Sequence, residues 1–160
     1  MLCQNPPSAI EKNRLPRYNL IGVIIVKTLR QKILSHVLKE YGTEAEYPFS
    51  SSPDTAVLRH TAGRKWYGII MNIPYDRLGL DRQGSTDIIN VKCDPIISGS
   101  IIAQGKAYPA YHMNKEKWIS LLLDGSVSEN DIYPLLSLSY SLTSTVKKAR
   151  KSIKQDDFCN

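Results

Sequence analysis

His112, Asn114, Lys115 and Trp118 stand close together in the sequence and are of types that can act jointly. An ammonium with an imidazole and a carboxamide beside it can bind an anion, with Lys115 as point charge and His112 and Asn114 as donors. The same residues can also serve structure alone. Asn114 and His112 can close a loop through hydrogen bonds while Trp118 anchors a strand in the core. Arg59, His60, Arg64 and Lys65 gather around a second feature, a hairpin tip whose cations could lie along a phosphate backbone. A solvated hairpin end that discourages edge pairing would carry the same charges. Trp66 and Tyr67 could stack bases, although aromatic residues in a strong strand usually serve the core. The third cluster is Lys147, Lys148, Arg150 and Lys151, followed by Lys154. It can make phosphate contacts that do not depend on base sequence, or simply complement a helix C-terminus.

Catalytic and metal chemistry find little purchase. Cys93 would need a hydrogen-bonded base and an orienting third group to act as a nucleophile, and a small buried apolar role suits it better. Asp76, Asp81, Asp87 and Asp94 have no calcium-loop spacing. Cys3, Cys93 and Cys159 are odd in number, far apart, and outside any zinc spacing. No catalytic residue, metal ligand or cofactor is therefore assigned, and reduced thiols in a cytoplasm are expected.

These groups must be positioned by regular elements. Leu29, Ile33, Val37 and Tyr41 recur every fourth residue, widened by Leu34 and Leu38, which predicts a helix from Thr28 to Tyr41 stopped by Gly42. Short strands follow: an edge strand at Glu44–Phe49 limited by Pro48, then Ala56–His60, Lys65–Ile73 and Thr86–Cys93. A helical turn is expected near Asp76–Leu78. Asp94 as N-cap and Pro95 at the first helical position start a short helix that runs to about Ala103. Lys106–Asn114 reads as an irregular loop and Lys117–Leu123 as the last strand. Ser128 caps a long helix, expected to reach about Ala149, with Pro134 kinking its first turn or delaying its start. This order predicts an α+β two-layer sandwich, an antiparallel sheet with helices on one face.

Composition agrees with one globular domain: 160 residues, 42% apolar and 22% charged. The longest apolar run, Leu20–Val26, is far short of the roughly 20 residues that span a bilayer. The formal charge is +6, which suggests an anionic partner. Its placement qualifies that suggestion. Residues 1–27 hold four basic side chains against one acid, and 147–160 hold five against two, whereas 28–146 balance twelve against twelve. The basic excess thus lies in the flanks, unlike the usual footprint of a folded nucleic-acid reader.

Several stretches together resemble the MmcQ/YjbR family. They are Tyr41-Gly42-Thr43-Glu44-Ala45-Glu46-Tyr47-Pro48, Ala56–His60 leading into Lys65-Trp66-Tyr67, Asn90–Pro95, and above all Tyr108–Trp118 with its His-x-Asn-Lys-x-x-Trp pattern. The resemblance covers about residues 28–146. It implies a compact double-wing domain related to secretion-chaperone-like and frataxin-like sandwiches, commonly labelled DNA-binding and without an established reaction. The partner so implied is double-stranded DNA, with a protein partner as the alternative. Arg59, Arg64, Lys65, His112, Asn114, Lys115, Lys147, Lys148, Arg150 and Lys151 are the corresponding candidates for contact. Residues 28–149 form the expected domain and 150–160 a basic tail. Residues 1–27 are expected to be a disordered arm or a mis-assigned extension, with Val23 or Val26 as alternative starts.

Overall fold

The computed structural model describes residues 27–144. The first helix, α1 (Leu29–Tyr41), is defined at both ends by side-chain chemistry. Thr28 accepts from the Gln31 backbone while the Gln31 side chain accepts from the Thr28 backbone, a reciprocal capping box. Gly42 ends the helix at φ +61°, a left-handed conformation that a Cβ would strain. Ile33 and Val37 are fully buried, so the fourfold repeat does face the core.

Strands β1 (Ala56–Arg59), β2 (Trp66–Pro74), β3 (Ser85–Lys92), β4 (Tyr108–Pro109) and β5 (Trp118–Leu122) form one antiparallel sheet in the order β1-β2-β3-β5-β4. A 3₁₀ turn, Tyr75–Leu78, follows β2, and α2 (Pro95–Ala103) follows β3. The last helix, α3 (Glu129–Thr143), crosses the sheet and packs on β2 and β3. All three helices contribute to one core layer. Ile33, Val37, Ile132 and Leu136 pack with Leu58, Ile70, Ile89 and Ile119, and Ile101 and Ile102 of α2 lie against them. The opposite face buries a smaller cluster of Ile73, Tyr75, Ile88 and Leu122 under Leu78, Leu80, Tyr108 and Tyr111.

A bulge sits where β1 meets β2. Leu58 pairs with Gly68 and Arg59 with Trp66, so Tyr67 is the extra residue. Its ring enters the helix-side core, against His60, Tyr41 and Tyr140. At that place Ser139 of α3 reaches between the strands. Its hydroxyl accepts from the Lys92 backbone N–H at 2.8 Å and donates to the Tyr67 carbonyl at 2.5 Å.

Four expectations change. The edge strand at Glu44–Phe49 reduces to one bridge, Glu46 to Val57, because Pro48 cannot continue the ladder. The 106–114 loop contains β4, whose two residues pair with Ser120 and Ile119. Pro134 does not delay α3. The helix begins at Glu129 because Ser128 caps it, and the proline lies inside. Nor does α3 reach Ala149: Ser144 leaves the helix with ψ 136°. The expectations for residues 1–26 and 145–160, including Lys147, Lys148, Arg150 and Lys151, lie outside the described residues. Among the described residues no helix is long and apolar enough to cross a membrane.

Candidate functional site

His112 and Lys115 project from the connection between β4 and β5, and buried polar groups hold that connection in place. Asn90 of β3 and Ser120 of β5 face each other in register. Ser120 Oγ donates to Asn90 Oδ1 at 2.6 Å, Asn90 Nδ2 donates to the Tyr111 carbonyl at 2.7 Å, and the Tyr111 N–H donates to Ser120 Oγ at 3.0 Å. The closed triangle fixes the backbone one residue before His112. His112 then takes φ +55°, an uncommon value for a side chain with a Cβ, and its ring tilts onto Tyr111 at 4.0 Å. Asn114 is occupied locally. Its Oδ1 accepts from the Glu116 N–H at 2.9 Å, and its carbonyl accepts from the N–H groups of Lys117 and Trp118. The turn leaves Lys115 exposed, and no ion pair engages it among the described residues.

Across from this loop stands the 3₁₀ turn after β2. Between the two runs an open groove of about 700 Å³, lined by Asp76, Arg77, Gly79, His112, Met113 and Lys115 among others. Arg77 was not singled out from the sequence as a site residue; only the helical turn holding it was. Its proximity to His112 depends on the sheet, and no local pattern announces it. The groove carries two permanent cations and one imidazole against a single carboxylate. It can therefore bind an oxyanion through charge-assisted hydrogen bonds.

The other cluster lies at the opposite edge of the sheet, so the structure does not bring Arg59, Arg64 and Lys65 together with His112 and Lys115. Arg59 and Arg64 both grip Glu46. Arg59 Nε lies 3.0 Å from Oε2, and Arg64 makes a two-point contact of 2.7 and 3.0 Å. The Arg59 guanidinium also sits 5.0 Å above Trp66, which meets Phe49 edge-on. Lys65 is exposed and has no ion pair among the described residues. Cys93 is buried, which pushes its thiol up and away from the thiolate. No group of three His, Cys, Asp or Glu side chains among the described residues is placed to hold a metal ion.

His60 serves the core. Thr143 donates its hydroxyl to the Ser139 carbonyl and so accepts from His60 Nε2 at 2.7 Å. Burial first, and Lys65 second, hold this imidazole below its ordinary 6.5, against hydrogen bonding of the ring to the Tyr140 backbone, which raises it. The unfolded chain thus takes up a proton more readily than the fold. The stability involved is complete above the ordinary value and is lost as pH falls below it, through the folded value. Thermal melts of the full chain between about pH 7 and about pH 5 should show a falling midpoint that His60→Gln flattens. Parallel curves for the two proteins would refute this role.

A family model described as YjbR matches residues 38–142. The uncharacterized protein YyaQ of Bacillus subtilis (strain 168) is 46% identical over 114 residues, 71% of this chain and 97% of that protein. A Pseudomonas syringae protein solved by crystallography is 38% identical with a TM-score of 0.69, covering 72% of this chain and 98% of its own. Its solution NMR structure gives 0.66 with 92% of that chain covered. A Deinococcus radiodurans protein with a DUF419 domain, 22% identical over 72% of this chain and 78% of its own, shares the fold at a TM-score of 0.54.

Proposed function

The chain belongs to the YjbR family, and on that footing we propose that it is a cytoplasmic, non-enzymatic binding module that contacts double-stranded DNA through phosphates. The groove of Arg77, His112 and Lys115 is the observation that carries this reading. It joins cationic side chains from two distant parts of the chain against one acid, Asp76. Nothing there reads bases: such contacts position a duplex without specifying its sequence. Lys65, at the other edge, and the basic segments that flank the described residues add nonspecific attraction.

Fluorescence anisotropy of the full chain with a mixed-sequence duplex, at two salt concentrations, tests it. Binding should weaken steeply with salt. Arg77→Ala and Lys115→Ala should each lower affinity and reduce the logarithmic salt slope by about one. Binding that both variants leave unchanged would assign the contact to the flanks and remove the groove from the account.

A protein-interaction role is the second reading, and one observation favours it. Ile96 is 85% exposed on α2 and Ile97 is exposed beside it, an apolar surface that a partner would cover. Absence of any duplex binding would move the proposal there.

A further inference from the structure

We propose that Arg59 and Arg64 form an oxyanion pocket of their own, that Glu46 occupies it as an internal ligand, and that a phosphate group is what displaces it. The inference stands apart from the groove of Arg77, His112 and Lys115, and either can fail without the other.

The geometry is that of a receptor already filled. A guanidinium that meets a carboxylate at two points, as Arg64 meets Glu46, presents the fork that also recognises phosphate. Arg59 adds a third contact on the same carboxylate from the end of β1. Its guanidinium is held by the Trp66 ring at 5.0 Å and by donation to the Arg64 carbonyl at 3.4 Å. Arg64 is itself set by an unusual backbone, φ +55°, straight after Gly63 at φ +80°. One guanidinium fork, from Arg64 in a preset loop, and one further cationic contact, from the buried Arg59 Nε that makes no aligned hydrogen bond, therefore converge on one carboxylate.

The charges do not balance at that point. Two guanidiniums carry two positive charges, and the Glu46 carboxylate supplies one negative charge. A phosphate monoester near neutral pH brings close to two. Room is present as well. An open pocket of about 350 Å³ adjoins the cluster, lined by Thr43, Glu44, Glu46, Arg59, His60 and Arg64. At roughly 30 Å³ per water this holds on the order of ten waters, enough for a hydrated anion. Glu44, the other acid there, is exposed and makes no ion pair among the described residues.

Glu46 also has the anchorage of a removable ligand. Its backbone makes a single bridge, accepting from Val57 N–H at 2.8 Å and donating to the Val57 carbonyl at 3.0 Å, and no strand continues on either side. The side chain can swing out while that bridge stays closed.

The test uses the full chain and titrates inorganic phosphate by calorimetry into wild type, Glu46→Gln and Glu40→Gln. The last variant makes the same charge change at an exposed site outside the pocket. Glu46→Gln should bind phosphate roughly tenfold tighter than wild type, the scale expected when one close competing charge is removed. Glu40→Gln should stay near wild type, and the double change Glu46→Gln with Arg64→Ala should lose the gain. A short DNA duplex as second titrant identifies the source: a parallel gain assigns the pocket to backbone phosphates, and a gain confined to inorganic phosphate assigns it to small phosphate compounds. A Glu46→Gln no tighter than Glu40→Gln, or a gain that survives loss of Arg64, would overturn the proposal. The NMR signal of Arg59 Nε–H in wild type gives a reading that does not depend on any variant folding. Saturating phosphate must move it, and a signal that stays put also overturns the proposal.

Discussion

Asn90→Ala should cost about 3 kcal/mol of stability and also weaken any anion binding in the Arg77 groove. Asn90 is wholly buried and both ends of its carboxamide are used. Alanine would strand the Tyr111 carbonyl and take away the acceptor of the Ser120 hydroxyl. An unsatisfied buried polar group costs about 1–3 kcal/mol, and a small cavity adds to that. The functional effect comes through position. Tyr111 is the residue that the triangle holds, and His112 follows it in a left-handed conformation that a loosened loop would relax. Chemical denaturation gives the stability change and anisotropy the binding change. If Asn90→Ala lowered stability while binding held, the triangle would be a core device with no bearing on the groove.

Ser139→Ala should be similarly damaging, about 2–4 kcal/mol, although it removes one oxygen and creates almost no cavity. The Ser139 hydroxyl stands in for a rung of the sheet, taking the Lys92 N–H and giving to the Tyr67 carbonyl. With alanine there, two backbone groups lose their partner in a fully buried place. Ser139→Thr keeps the hydroxyl and should retain more of the stability than Ser139→Ala, despite an added methyl group. Equal loss in both variants would show that packing around Ser139 governs, and not the bridge. Amide exchange at Lys92 offers a local check, since its protection should fall in Ser139→Ala before that of Ile89.

The contrast between these serine and asparagine roles and the helices shows where sequence reading succeeds. The α1 repeat, the Asp94-Pro95 start of α2 and the Ser128 cap of α3 are local: each needs only neighbours within a turn, and each stands as expected. The antiparallel sheet with helices on one face follows from the order of helical and strand segments along the chain, whereas the place of β4 at the sheet edge does not. Ser139 looks like one more polar position on an otherwise apolar helix until the Tyr67 bulge opens a gap for it. Glu46 looked like part of an edge strand, and only the fold sets its carboxylate between Arg59 and Arg64. Arg77 met His112 by the same long-range route. Among the described residues, the cations that sequence reading picked out lie in two groups at opposite edges, because adjacency in sequence says nothing of which edge a hairpin occupies. Asn114 was readable both as donor and as loop closer, and its Oδ1 and carbonyl are engaged within its own turn.

The two ends of the sheet limit how this domain can meet another protein. At one margin β4 offers two residues, and the second is Pro109, which has no N–H to give. At the other, β1 is four residues long and already touched by the Glu46 bridge, with Pro48 and Pro53 nearby in the chain. A passing strand would find too few free backbone groups at either margin to zip onto. The described domain is thereby shielded from growing into a shared sheet with its own copies, and crowded solutions of it should stay free of ordered fibrils. A protein partner must approach through side chains instead, at α2 or across the loops, where shape and charge can tell one visitor from another.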